Sequence, residues 1–210
     1  MNVKDRRRHL LFPTPIWQFT FEGCEALNAQ LYQDIMAFDW EGYKQAHHLD
    51  FGNDLTPRSE DTFIPIDRAL GLLQVLRFAT DCAGEAAADF GWDQQRRTPE
   101  VTQFWANINR PHDYNMQHNH VPNHLSGVYY VNVPEGSGDI RFYDERKLPA
   151  VIEPAPVRES ALAQHSHTFH PAAGMMLIFP GWLDQVVGQN RTNEIRVSIS
   201  FNIDLVKTRG

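Results

Sequence analysis

The sequence predicts a mainly β protein, a sandwich or barrel of short strands with helices gathered in its N-terminal half. Three observations carry that expectation. From Glu194 to Asp204 polar and apolar residues alternate without a break. Upstream, from about residue 100, short β-like runs are separated by Pro/Gly turns. Before residue 100 the chain instead holds two stretches with helical spacing of apolar residues. At 210 residues the chain suits one domain, 1–210, with a helical half of about 1–98 packed on a β core of about 99–206.

The helical stretches run from Glu25 to Phe38 and from about Ile66 to Phe90. In the second, Leu70, Leu73, Val75, Leu76 and Phe78 form an apolar stripe among alanines, and Ser59–Thr62 with Pro65 punctuates its entry. Between the two, Gly42 to Arg58 is polar and irregular, the composition of a loop that could act as a lid. The β half opens with Val101–Asn109, where Gln103, Trp105, Asn107 and Asn109 share one face. Leu125–Val133 follows, then a Pro134–Gly138 turn and a strand over Asp139–Tyr143. A proline-bearing connection, Pro149–Gln164, leads to short strands at Thr168–His170, Met175–Phe179 and Asp184–Val187, with turns at Pro171–Gly174 and Pro180–Gly181. The last strand puts Ile195, Val197, Ile199, Phe201 and Ile203 on one face. Arg196, Ser198, Ser200, Asn202 and Asp204 occupy the other.

Composition removes several function classes. A net charge of −7 argues against a nucleic-acid partner. No apolar run is long enough to span a membrane, and the region ahead of Leu10, with Asp5 and three arginines, lacks the pattern of a secretion signal. Two cysteines, Cys24 and Cys82, make no disulfide framework, so the expectation is a cytoplasmic protein with no membrane partner.

Chemistry concentrates in the β half. Arg196 and Ser198 stand together on the polar face of the last strand. There a guanidinium can grip both oxygens of a carboxylate while the hydroxyl adds a third bond. Taken alone, the same alternation also describes a solvent-exposed strand face. His118 and His120 stand at i and i+2 in an extended segment, so both imidazoles point to one side, as neighbouring metal ligands must. Imidazole suits iron, zinc, copper and nickel alike, and spacing does not choose among them. His165, His167 and His170 form a second cluster, with no acidic partner evident, that reads as a solvated loop. Tyr130, in register with Ser126 and Asn132, and Asn107, on the face of Trp105, are candidates for a polar interior. Trp105, Tyr129, Phe142, Trp182 and Phe201 read as core. Neither G-x-S-x-G nor a phosphate-cradling glycine loop occurs, so nucleophilic hydrolase and nucleotide-binding readings lack a foothold.

Six ordered segments resemble one family. They are Trp105–Asn109 (WANIN), Asn115–His120 (NMQHNH), Leu125–Val131 (LSGVYYV), Phe142–Arg146 (FYDER), Gly174–Leu183 (GMMLIFPGWL) and Arg196–Asn202 (RVSISFN). Their order resembles that of 2-oxoglutarate–Fe(II) oxygenases, and Leu11–Trp17 (LFPTPIW) is similar to that family's opening. The resemblance implies a double-stranded β-helix, a jelly-roll, cupin-like barrel with helices on one sheet and the site in its mouth. It also implies Fe(II) and 2-oxoglutarate, used by a dioxygenase to oxidise an unactivated C–H bond of a small-molecule or peptidyl substrate.

The resemblance also implies roles for particular residues. His118 matches the first metal ligand, and His120 stands where an acidic ligand usually sits. Arg196 and Ser198 match the anchor of the cosubstrate, with Asn107 and Tyr130 as further contacts. The histidine expected after the Phe-Pro-x-Trp-Leu segment is absent, and Gln185 stands there. A glutamine carbonyl binds Fe(II) much more weakly than imidazole does. Three explanations stay open. Gln185 or the adjacent Asp184 completes a weakened site, a histidine of the 165–170 cluster swings in, or catalysis is lost and a binding protein remains. A cupin-like metalloprotein with another reaction is a further alternative. The resemblance and the exposed β-edges make a homodimer reasonable.

Overall fold

The computed structural model describes residues 7–8, 11–38, 60–62, 70–146, 154, 156–158, 160 and 162–208. Its elements run β1 (Trp17–Thr20), α1 (Glu25–Ala37), β2 (Glu60–Thr62), α2 (Leu70–Asp89), β3 (Arg97–Asn109) and β4 (Asn115–His118). They continue with β5 (Leu125–Asn132), β6 (Ile140–Tyr143), β7 (Ser166–Phe169), β8 (Met175–Pro180), β9 (Gln185–Val187) and β10 (Arg196–Lys207). Six strands form one antiparallel sheet in the order β1-β8-β5-β10-β3-β2, and four form a second, β4-β9-β6-β7. Two such sheets with crossing connections make a double-stranded β-helix.

The alternation of the last strand sets the layering. Val197, Ile199, Phe201 and Ile203 turn outward from the barrel into a cluster with Leu31 and Ile35 of α1 and Leu72, Val75, Ala79, Ala83 and Ala86 of α2. The alanines let α2 lie close to the six-stranded sheet, and each large apolar side chain buried there contributes about 1.5–3 kcal/mol. Gly127 makes room for Phe201: a Cβ at that position would collide with the Phe201 ring and approach the Leu177 carbonyl to 2.8 Å. Tyr129 of β5 also faces the helices, where its hydroxyl donates to Oδ1 of Asn28 at 2.7 Å.

The opposite face of that sheet looks inward. Val128, Tyr130, Leu177 and Phe179 meet Ile140 and Phe142 of the small sheet there, and Leu183 closes the cluster. The polar row of β10 shares this interior. Arg196 is 2 % exposed, Ser198 3 % and Asn202 4 %, so the solvent-face reading of that strand is wrong. The second sheet covers the row.

Several element boundaries differ from the sequence expectation. β3 begins at Arg97 rather than Val101, with Pro99 inside it. Proline fits because, among the described residues, β2 pairs only with Ala106 to Ile108 and leaves β3 an edge strand at Pro99. β1 and β2 were not expected as strands, being too short to show alternation. Trp182 is 45 % exposed at a turn rather than part of the core. The proposed lid, Gly42 to Arg58, and the start of the second helical stretch at 66–69 lie outside the described residues. Cys24 and Cys82 are both buried and free. Among the described residues no helix is long and apolar enough to cross a membrane.

Candidate active site

Between the sheets lies a cavity of about 120 Å³, on the scale of the ~150 Å³ engineered cavity that admits benzene. The small sheet delivers the histidines. β4 pairs with β9 so that His118 stands opposite Gln185, which turns both side chains inward. His120 follows two residues later, past the end of the strand. Its N–H donates to the Gly181 carbonyl at 2.7 Å, and Gly181 in turn donates to the His124 carbonyl at 3.1 Å. A side chain at Gly181 would collide with the Asn123 carbonyl, so glycine permits this lacing. Trp105 and Phe179 flank the His120 ring, with centroids 5.7 and 6.3 Å away.

The imidazoles are oriented for their Nε2 lone pairs to meet. Nδ1 of His118 lies 2.7 Å from the Met116 carbonyl. A carbonyl only accepts, so Nδ1 carries the proton and Nε2 keeps its lone pair. Burial, followed by the neighbouring His118, lowers the His120 pKa from 6.5 to about 4, leaving that ring neutral at pH 7. The Gln185 amide nitrogen lies 2.8 Å from Nε2 of His120 and 3.4 Å from Nε2 of His118. Its Oε1 is buried without a partner.

Asp184 does not enter this site. Its carboxylate faces the other way and accepts from Gln117 at 2.9 Å and from Asn119 at 2.9 Å. Those residues alternate with the two histidines along the chain, so Asp184 grips the back of the segment whose front carries His118 and His120. The second histidine cluster stays outside as well. His165 and His167 line a separate cavity beside Leu11 to Thr14. Contrary to expectation, that cluster does have an acidic partner, since His170 lies 3.0 Å from Asp139. Among the described residues no group of three His, Cys, Asp or Glu side chains could hold a metal.

The six-stranded sheet supplies the other half of the site. Arg196 pairs with Asn109 of β3, and Ser198 pairs with Asn107 of β3 and Tyr130 of β5. The Arg196 guanidinium donates to the Gly138 carbonyl at 3.0 Å and to Oδ1 of Asn109 at 2.7 Å, while its Nε has no partner. Burial lowers its pKa, against the opposing pull of Tyr130 and Asp139, yet a guanidinium stays charged in proteins. Both hydrogen-bond partners are neutral. Asn107 donates to Ser200 at 2.7 Å. The Tyr130 phenol is raised well above its ordinary value by burial, and it therefore stays a neutral donor. The sequence placed Asn109 on the Trp105 face but gave no sign that it holds the guanidinium. Gly138, whose carbonyl does the same, was legible only as a turn residue.

Arg196, Ser198, Asn107, Tyr130, His118, His120 and Gln185 all line this one cavity. The residues fit a small dicarboxylate, because a buried cation with an orphaned donor and no anionic partner invites one. They also fit a divalent metal: two neutral imidazole lone pairs converge beside an amide that can present its oxygen. The metal fit is the weaker of the two, since every donor is neutral.

Comparison with known proteins bears on this arrangement. The family model described as "Putative 2OG-Fe(II) oxygenase" matches residues 103–202. A prolyl-4-hydroxylase from Pseudomonas putida aligns at TM-score 0.60 and 14 % identity, covering 94 % of each chain. The epimerase SnoN, solved with Fe3+, alpha ketoglutarate and nogalamycin RO, aligns at TM-score 0.58 and 15 % identity over 91 % of this chain and 79 % of its own. An oxidoreductase of the 2OG-Fe(II) oxygenase family from Burkholderia pseudomallei aligns at TM-score 0.51 and 12 % identity over 91 % and 97 %. No curated protein sequence matches the chain. At these identities the structural likenesses show the fold.

Proposed function

We propose, on the match of residues 103–202 to the 2-oxoglutarate–Fe(II) oxygenase family model, that the chain is a non-haem dioxygenase that uses 2-oxoglutarate to oxidise a C–H bond of a small-molecule or peptidyl substrate. One observation carries this reading. Arg196, charged and with its Nε unpartnered, and the histidine pair His118/His120 open into the same small cavity from opposite sheets. Arg196, with Ser198 and Tyr130 beside it on adjoining strands, would hold one carboxylate of 2-oxoglutarate. Neither Ser198 nor the Tyr130 hydroxyl makes a side-chain hydrogen bond to a described residue, so both are available to donate. His118, His120 and Gln185 would hold Fe(II), which with 2-oxoglutarate and dioxygen supplies the oxidising power.

The chain's own contribution is to orient and to exclude water. Met116 orients the His118 imidazole, Gly181 holds the backbone of His120, Asn109 and Gly138 fix the guanidinium, and Trp105, Val128, Ile140 and Phe179 wall the cavity with apolar surface. A low-polarity wall strengthens each charge contact inside it. The test is formation of succinate from 2-oxoglutarate by Fe(II)-loaded protein under air, compared with Arg196→Met. Succinate from the wild type alone supports the reading.

A second reading, a binding protein that turns nothing over, is favoured by the Gln185 amide closing the histidine pair by hydrogen bonding. It gives dicarboxylate binding without succinate.

A further inference from the structure

None of the fifteen residues lining the cavity is acidic: its polar groups are Arg196, the two histidines, and neutral amides and hydroxyls. Among the described residues, Asp139 pulls on Arg196 but lies outside the cavity lining beside the exposed His170, and Asp184 is held by Gln117 and Asn119. A divalent ion placed at His118 and His120 would therefore meet no anion among the described residues of the lining, and it would share an enclosed space with the Arg196 guanidinium. Two cationic centres in a low-polarity cavity whose described lining holds no counter-charge repel each other and lose their hydration. The Gln185 amide opposes the ion further. Its N–H groups satisfy both imidazoles, because His118 keeps its proton on Nδ1 and can only accept at Nε2. A metal must displace that arrangement, turning the amide so that Oε1 faces inward.

We propose that in this protein a small dicarboxylate, rather than a protein carboxylate, supplies the negative charge that holds the metal, so that metal occupancy is governed by the dicarboxylate. This rests on the functional reading above and adds a regulatory consequence. The protein stays essentially metal-free until the dianion is present, and Gln185 is the residue that makes it so. The orphaned Oε1 of Gln185 is an acceptor with nothing to accept from until a cation arrives. By linkage, whatever factor the dianion adds to metal affinity, the metal adds to the affinity of the dianion.

The experiment is calorimetric titration of Co(II) into the full chain, with and without saturating 2-oxoglutarate, for the wild type and Gln185→Glu. The expected result is wild-type affinity for Co(II) at least tenfold higher with 2-oxoglutarate. Gln185→Glu, which returns an anion to the same position with the same length, should bind Co(II) at least tenfold more tightly on its own, and its gain from 2-oxoglutarate should shrink. Equal Co(II) affinity in wild type and Gln185→Glu without 2-oxoglutarate, with both variants folded by circular dichroism, overturns the proposal. In that case measurable 2-oxoglutarate binding would leave the oxygenase reading standing. Absence of any 2-oxoglutarate binding, with or without metal, would remove both.

Discussion

Gln185 and His120 are joined by a 2.8 Å contact between the amide nitrogen and the imidazole Nε2, and His118 shares the same amide at 3.4 Å. One neutral side chain from β9 thus occupies the place where a third strong ligand would be required. Replacing it with a better ligand isolates that effect. Gln185→His is expected to raise affinity for Co(II) by about tenfold or more without any added carboxylate, read by calorimetry. Unchanged affinity would remove Gln185 from the account of the metal site.

Arg196 is a charge buried without an anion, and such a group destabilises the empty protein. Arg196→Met keeps much of the volume and removes the charge. The ligand-free variant should melt at the same temperature as the wild type or a few degrees higher. It should lose any thermal shift that 2-oxoglutarate gives the wild type. A large loss of stability without ligand would mean that the hydrogen bonds to Gly138 and Asn109 outweigh the buried charge.

Gly127→Ala tests the contact between the barrel and its helices. The added methyl must displace the Phe201 ring and press on the Leu177 carbonyl. Overpacking of this kind costs about 1–3 kcal/mol, and denaturant unfolding should show a lower midpoint with an unchanged slope.

Tyr129→Phe leaves Oδ1 of Asn28 without its buried donor. The expected loss is about 1–3 kcal/mol. Because Tyr129 faces the helices and Tyr130 faces the cavity, the same variant should bind 2-oxoglutarate as the wild type does.

Burial, then the charges of Glu85 and Asp81, push the Cys82 thiol up to about 12. Almost no thiolate exists at pH 8, and thiolate is the reactive form. Iodoacetamide at pH 8 should leave Cys82 unmodified in the folded protein and alkylate it after unfolding, as followed by mass spectrometry.

The β10 alternation announced both a long strand and, in Arg196, Ser198 and Ser200, residues that line the cavity. It could not say which face was inside, because a strand covered on both sides by other layers buries its polar row as well. The i, i+2 spacing of His118 and His120 likewise survives into the fold, since both side chains line the same cavity although His120 lies past the end of β4. The fate of Asp184 and Gln185 was not legible. Gln185 opens β9 and Asp184 directly precedes it; one points in and the other out, and the choice is fixed by the register that sets His118 opposite Gln185. That register is a long-range property. The same holds for Asn109, whose grip on Arg196 follows from strand pairing across 87 positions of sequence.

The most direct test of the central claim is anaerobic titration of Fe(II) into metal-free protein with 2-oxoglutarate present, following the visible charge-transfer band of the chelated cosubstrate. A band that appears in the wild type and is missing in Arg196→Met is the expected result. No band in the wild type at any Fe(II) concentration would contradict the assignment of this cavity to iron and 2-oxoglutarate.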